Sequence, residues 1–288
     1  MEPSILRCPE CGDRLQAVDV ALQCDSGHRF EPIDGFPDLV YPRRLAGSDA
    51  EFLGKYDAGA AQYDRGLEWL FESFYEDENE VRSAIAGMLE LAPNARVLEI
   101  GSGTGKDSMQ IANRLNASGH LWVTEISSRM LGYARSRLSA SETLPKIDFI
   151  LVNGSCLPFE DGTFDAVFHF GGINEFSERA GAIEEMTRVT KRNGKVVFGD
   201  EGLAPWLRKT ERGRMIANAN ALYHHEPPLQ DLPVSARAVT LRWILGNAFW
   251  ILSYNVGDGA PPVNIDLPIP GKGDSLRLRY EKVNPNLS

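Results

Sequence analysis

The chain has 288 residues, 43% of them hydrophobic and 24% charged, with a formal net charge of −10. That length suits one domain plus a small module, and the composition is that of a chain able to bury a real core. An acidic surface repels a polyanion at long range, which counts against nonspecific nucleic-acid binding by the whole molecule. No apolar run approaches the ~20 residues of a membrane span. The first residues carry neither the basic start nor the apolar stretch of a secretory signal, so a cytoplasmic protein is expected. Charge is uneven: residues 51–99 hold eleven acids against four bases, and residues 186–214 hold eight bases against three acids. The basic stretch reads as a solvated helix face or, alternatively, as an entrance for an anionic substrate.

Three of the four cysteines fall within the first 24 residues. Cys8, Cys11, Cys24 and His28 are spaced C-x2-C-x12-C-x3-H. In a chain without a signal peptide, clustered cysteines hold a metal more often than they form disulfides. Zinc takes four such ligands in a tetrahedron, and a closed four-ligand site is structural rather than catalytic. Gly12 and Gly27 supply the turns, and residues 14–22 read as two short strands. About 40 residues bury little core unaided, so the metal is expected to hold this segment folded. Residues 8–40 resemble the zinc ribbons fused to bacterial ribosomal-RNA guanine methyltransferases, ligand spacing included. They also resemble the small zinc-ribbon activator subunits of other methyltransferases, which carry a segment like Ile33-Asp34-Gly35-Phe36-Pro37. The ribbon is expected to dock a substrate or cover the active site. A polar linker follows at 41–49, then a helical stretch over 50–91, where Trp69, Leu70, Phe74, Val81, Ile85, Met88 and Leu89 recur at spacings of three and four.

Residues 97–100 form a short buried strand, and Gly101, Gly103 and Gly105 turn it into a helix with Met109, Ala112 and Leu115 on its apolar face. The glycines are spaced G-x-G-x-G, not the G-x-G-x-x-G that seats a pyrophosphate. Glu99 stands two residues before the first glycine. A carboxylate there repels a pyrophosphate but is tolerated beside a sulfonium, where it can order the loop and the water around an amino group. This stretch resembles the first motif of the class I, Rossmann-like S-adenosylmethionine-dependent methyltransferases. The resemblance makes Gly101, Ser102, Gly103 and Gly105 cofactor contacts.

A second strand at 121–126 ends in Glu125, placed to accept hydrogen bonds from ribose hydroxyls, with Ile126 beside it. Met130 resembles the family's hydrophobic contact to adenine, or is simply helix core. A third strand at 147–152 leads into Asn153 and Gly154 and on to Leu157-Pro158-Phe159. With Phe164-Asp165-Ala166-Val167 this resembles a further family signature, in which Asn153 replaces the usual aspartate toward adenine. Cys156 reads as buried filler. A fourth strand at 164–170 ends near Phe170 and Gly171, whose backbone is expected to border the methyl donor, because ligands of open parallel sheets bind at the strands' carboxyl ends. A helix around 182–190 and a fifth strand at 195–201 complete the alternation.

Residues 203–237 are expected to be mostly helical. Residues 239–245 and 248–254 flank Gly246 and Asn247 as a hairpin, and the tail from Gly257 reads as extended or partly ordered. The expected architecture is therefore α/β, a doubly wound Rossmann-like methyltransferase sheet with a C-terminal antiparallel hairpin and an N-terminal zinc ribbon. The expected division is 1–45 for the ribbon, 46–92 for a helical cap or linker, 93–256 for the core and 257–288 for the tail.

The resemblance implies methyl transfer from S-adenosylmethionine, with structural zinc. In such chemistry the enzyme aligns donor and acceptor, and a base is needed only for an acceptor protonated near neutral pH. Candidate bases are His169 first, then His224, His225, Glu175, Asp200 and Glu201. Two acceptors compete. A small molecule would be O-, N- or C-methylated in a pocket shaped by Trp206, Tyr223 and Trp243 under the ribbon and the 50–91 helices. A ribosomal or transfer RNA base would be clamped by the ribbon and the basic stretch. The ribbon's five arginines against eight acids over 1–46 favour the small molecule. A third reading is a noncatalytic cofactor-binding or partner-docking protein.

Overall fold

The computed structural model describes residues 2–140 and 145–284. At the N-terminus β1 (Leu15–Val18), β2 (Ala21–Cys24) and β3 (Arg29–Phe30) form a small antiparallel sheet. The two strands expected over 14–22 are present, with β3 as a third. The 50–91 stretch forms two helices, α1 (Gly47–Ser73) and α2 (Glu78–Gly87). The break at 74–77 ends with Asp77, whose carboxylate accepts from the Glu80 amide at 2.9 Å and so caps α2.

From there strand and helix alternate: β4 (Arg96–Ile100), α3 (Lys106–Ala112), β5 (His120–Glu125), α4 (Ser128–Leu138), β6 (Lys146–Leu151), β7 (Phe164–Phe170), α5 (Arg179–Val189) and β8 (Thr190–Glu201). After α6 (Glu211–Ala219), the hairpin β9 (Ala236–Ile244) and β10 (Phe249–Val256) returns to the sheet, and α7 (Leu276–Val283) closes the described chain. The seven strands lie in the order β6-β5-β4-β7-β8-β10-β9. β4 to β8 are parallel, and β10 runs against both of its neighbours. This is the expected doubly wound sheet with its hairpin. The central strands are apolar on both faces because helices cover both sides; every residue of β5 is buried.

One expectation fails locally. Residues 203–237 contain one α-helix, α6, between short 3-10 turns and irregular chain. Pro205, Pro227, Pro228 and Pro233 break the pattern, because proline lacks the amide a helix interior needs and pushes its predecessor out of the helical region. The tail is partly ordered: Ser275 Oγ accepts from the Leu278 amide at 3.3 Å and starts α7.

The N-terminal segment does not stand apart from the sheet. Leu6, Leu22, Phe30 and Leu39 belong to the same buried cluster as Trp122 and Phe159. Leu6 bridges Phe159, and Asp38 bridges Leu151 at the end of β6. Leu6 is fully buried. Leu6→Ala should therefore destabilise the whole chain, by about 2–5 kcal/mol for a buried leucine. Far-ultraviolet and fluorescence denaturation curves should stay superimposed; a separate early transition for the first 40 residues would contradict the shared core.

Candidate functional site

The carboxyl ends of β4 to β8 open beneath α1. β4 ends at Ile100, and the chain turns through Gly101, Gly103 and Gly105 with φ of +63°, +54° and +82°. Side-chain-bearing residues rarely adopt these angles. At Gly105 space is also closed, because a Cβ would lie 2.8 Å from Ala134 Cα. The turn aims the Gly103 amide at Glu125 Oε2 (2.9 Å), while Glu125 Oε1 accepts from the Ile126 and Ser127 amides at 2.9 and 3.1 Å. Burial nevertheless pushes the Glu125 carboxyl above its ordinary range, because lost hydration outweighs the three donors.

Between this turn and α1 lies a cavity of about 700 Å³, mouth included. Asp49, Phe52, Leu53, Tyr56 and Tyr63 of α1 roof it. Its lining includes three acids, Asp49, Glu125 and Glu175, and among the described residues no lysine or arginine. A second cavity of about 570 Å³ adjoins it and shares Tyr63, Gly101, Gly103 and Gly171. Its apolar lining is Leu67, Leu70, Phe71, Phe170, Leu245 and Phe249. Its polar lining includes Glu201, Ser102, Asp107, Arg82 and Lys106. The two bases are already neutralised: Arg82 pairs with Glu78 (2.8 Å) and Asp107 (2.5 Å), and Lys106 with Glu78 (2.6 Å). Burial first, and the adjacent Asp200 charge second, hold the Glu201 carboxyl well above the usual carboxylate range.

α1 is tied down by polar contacts along its length. Asp49 accepts from Asn153 Nδ2 (3.1 Å) and from the Ser177 amide (2.9 Å). Tyr56 OH donates to Glu175. Asp57 accepts from Ser127 Oγ (2.5 Å), and Asp64 from Thr104 Oγ1 and Arg137 Nη2 (2.5 Å each).

Most of the sequence-predicted cofactor residues meet at these cavities. Gly101, Gly103, Glu125, Ile126, Met130, Asn153, Gly154, His169 and Gly171 line the first, and Ser102 and Phe170 line the second. Gly105 lines neither and packs on α4 instead. Glu99 also lines neither. It is buried, Oε2 finds no partner among the described residues, and burial with the nearby Asp107 charge raises its carboxyl well above normal. The α1 residues, with Gly172 and Phe176, were missed. Asp49, Tyr56 and Tyr63 recur every seven residues, which puts them on one helical face, but an apolar count passes over that mixed face.

The six candidate bases separate. His169 Nδ1 lies 2.9 Å from the Ile100 carbonyl and must donate to it, which leaves Nε2 a bare lone pair with no partner among the described residues. Burial lowers its pKa, so the ring is neutral. Glu175 faces the first cavity and Glu201 the second. Asp200 is fully buried and accepts from the Gly172, Asn174 and Glu201 amides, so it anchors the turn after β7. His224 and His225 line neither cavity. Nor do Trp206, Tyr223 and Trp243, which were expected to shape the pocket: Trp206 is 60% exposed and packs on Trp243, and Tyr223 packs on Phe249. The expected cover is corrected as well, because no described residue of the first 45 lines either cavity.

The Cys8, Cys11, Cys24 and His28 ligand atoms lie within 4.8 Å of one another. Cys11 Sγ is 3.7 Å from Cys24 Sγ, and His28 Nδ1 is 3.5 and 3.4 Å from Cys8 and Cys24 Sγ. Zinc–ligand lengths of roughly 2.3 Å to sulfur and 2.0 Å to nitrogen give tetrahedral edges of about this size. Glu10 stands 3.5 Å from His28 Nε2, where it can orient the ring.

Residues 97–194 match the family described as a methyltransferase domain. The chain is 34% identical over 156 residues to the ubiquinone/menaquinone biosynthesis C-methyltransferase UbiE of Xylella fastidiosa (strain M23), covering 48% of this chain and 62% of that protein. It is 26% identical over 205 residues to the protein of the same name from Bordetella parapertussis, covering 66% and 73%. The chain thus spans 62% of the length of the first of these relatives. Among solved structures, phosphoethanolamine N-methyltransferase 2 of Haemonchus contortus with S-adenosyl-L-methionine superposes with a TM-score of 0.55 at 14% identity, covering 77% of this chain and 62% of that one. At that identity the likeness shows the shared fold.

Glu99 supplies a test of the buried electrostatics. Its raised pKa means the folded state holds a proton that the unfolded state has released above pH ~4.5. Its contribution is complete below that pH and is lost as pH rises toward the folded value. Glu99→Gln should raise stability at pH 8 relative to wild type and change it little at pH 4; urea melts at both values decide it.

Proposed function

We propose that this chain transfers a methyl group from S-adenosylmethionine to a small molecule with an apolar body, and that its Cys3His cluster holds a structural zinc ion. The observation that carries the reading is the first cavity's charge: three lining acids and no lysine or arginine suit a sulfonium cation and a ribose, and repel a phosphate-bearing nucleotide. S-adenosylmethionine, when bound, supplies a methyl group already activated on cationic sulfur.

The chain's part is to bind, align and exclude water. Met130, Val152, Asn153 and Gly154 offer an adenine slot, and Glu125, held by three amides, faces the ribose. The glycine turn presents bare backbone, and α1 closes the roof. In the second cavity, Ser102 Oγ and Asp107 Oδ1 are buried acceptors without partners among the described residues, suited to an ammonium group. The apolar wall of Leu67, Leu70, Phe71 and Phe249 suits the acceptor's body, in keeping with relatives named for quinone biosynthesis. Glu201 on that wall takes the acceptor's proton from its ionised form, and burial beside the Asp200 charge raises that form's proton affinity above an ordinary carboxylate's. Whether the methylated atom is O, N or C is set by the acceptor that fills the wall.

Ion pairing weighs against an RNA substrate. Five of the eight bases in the basic stretch, Arg188, Lys191, Arg192, Lys195 and Arg208, are each paired with an acid, which reduces the charge free for phosphates.

Calorimetric titration of the full chain should show binding of both S-adenosylmethionine and S-adenosylhomocysteine. Gly103→Arg should abolish both while zinc content stays at one per chain; retained binding would refute the assignment of the turn. With donor carrying a labelled methyl group, label should enter the small-molecule fraction of a cell extract. Glu201→Gln should cut that transfer about 100-fold, the typical contribution of a general base, with donor affinity unchanged. Label appearing mainly in RNA would overturn the acceptor class.

A further inference from the structure

The ribbon lines neither cavity, yet it grips the one loop of the first cavity that hangs from the sheet's edge strand. β6 is the outermost strand on its side; the Val152 amide still donates to the Glu125 carbonyl at the end of β5 (2.9 Å), and residues 153–159 then leave the sheet. Val152, Asn153 and Gly154 at the start of this loop line the first cavity. The chain on either side of the ribbon's metal cluster brackets the loop at both ends. On entry, the Leu39 amide donates to the Leu151 carbonyl and the Leu151 amide to the Pro37 carbonyl, each at 2.9 Å. On exit, the Arg7 amide donates to the Pro158 carbonyl (2.9 Å) and the Glu160 amide to the Ile5 carbonyl (3.0 Å). The Arg7 guanidinium pairs with the Glu160 carboxylate, and Arg14 adds a contact at 3.7 Å. Leu6, Leu39 and Phe159 are fully buried between them.

The other supports of the loop come from α1 and α5. Asp49 reaches Asn153, Glu185 accepts from the Leu157 amide (2.8 Å), and Arg188 donates to the Leu157 and Phe159 carbonyls. These leave the outer flank to the ribbon alone among the described residues. The cluster's ligands Cys8 and His28 stand in the two chain segments that lead to the loop contacts, so metal binding sets the spacing between those segments. Arg7 directly precedes the ligand Cys8, and the 37–39 segment follows β3 and His28.

We propose that the N-terminal ribbon is a positioning element for the donor's adenosine end: by holding the 152–159 loop from both sides, the metal-ordered ribbon fixes Asn153 and Gly154 in the cavity. This rests on the reading that the first cavity takes S-adenosylmethionine. Loss of order in the ribbon leaves the glycine turn intact and loosens the adenine side, so it weakens ligands through their adenosine half.

The test measures S-adenosylhomocysteine and 5′-methylthioadenosine, which keeps the adenosine half and lacks the amino-acid end, by calorimetry on the full chain. Binding is read with zinc bound, after removal by a chelator, and after zinc is restored. The zinc-loaded chain should bind both. Metal removal should weaken both by the same factor, about tenfold for one or two lost positioning contacts, at unchanged stoichiometry, and zinc should restore them. Unchanged dissociation constants overturn the proposal. So does a fall in stoichiometry alone, the mark of a fraction of chains simply unfolding. In a second variant, Glu160→Ala, zinc should stay at one per chain while both affinities drop several-fold; affinities equal to wild type overturn the proposal. If the zinc-loaded chain binds neither ligand, the reading of the cavity itself falls, and the proposal with it.

Discussion

The cleft over the sheet becomes a cavity because one helix is pinned across it by aspartates. α1 runs for 27 residues, yet only Ala60 and Phe71 along it are buried. Apolar packing therefore does little to hold it. Asp49, Asp57 and Asp64 hold it instead, each accepting hydrogen bonds from residues at the ends of the core strands and helices. A helix held this way belongs to the low-stability end of a fold, which opens more readily than the core beneath it.

The same economy of charge runs through the rest of the site. Acids face the first cavity without basic neighbours in its lining, whereas the bases near the second are matched to Glu78 and Asp107. Burial is the first cause in each case, so Glu99, Glu125, Glu175 and Glu201 all carry raised pKa values. Water would relieve that cost, and so would a cationic ligand. A cavity that stays acidic after folding is a site waiting for positive charge.

The sheet was legible in the sequence because its strands are short apolar runs separated by glycine turns and helices, and the pattern of strand and helix fixes the topology. The residues that line the first cavity from the sheet were legible for a related reason: they sit at strand ends, where a glycine spacing or a lone acid marks the turn. That helices of the 50–91 stretch would close the pocket was legible, but the residues forming the roof were not. Asp49, Tyr56 and Tyr63 share a face, but a face mixing acids and tyrosines has no apolar stripe to reveal it. Nor did the sequence show that the Cys3His segment leans on the edge of the sheet rather than over the cavity. Metal spacing defines the segment's interior, whereas its docking depends on Leu6, Leu39 and Phe159, apolar residues that could have packed anywhere. Trp206, Tyr223 and Trp243 misled because aromatic residues were read as pocket walls, when two of them pair near the surface and the third fills a satellite core.

The most direct check is a crystal structure of the full chain with S-adenosylhomocysteine. The account places adenine between Met130 and the Asn153–Gly154 backbone, the ribose hydroxyls on Glu125, and the sulfur near His169 and Gly171, with α1 closed above. Ligand density against the ribbon, or with its adenine turned toward Glu201, would contradict it.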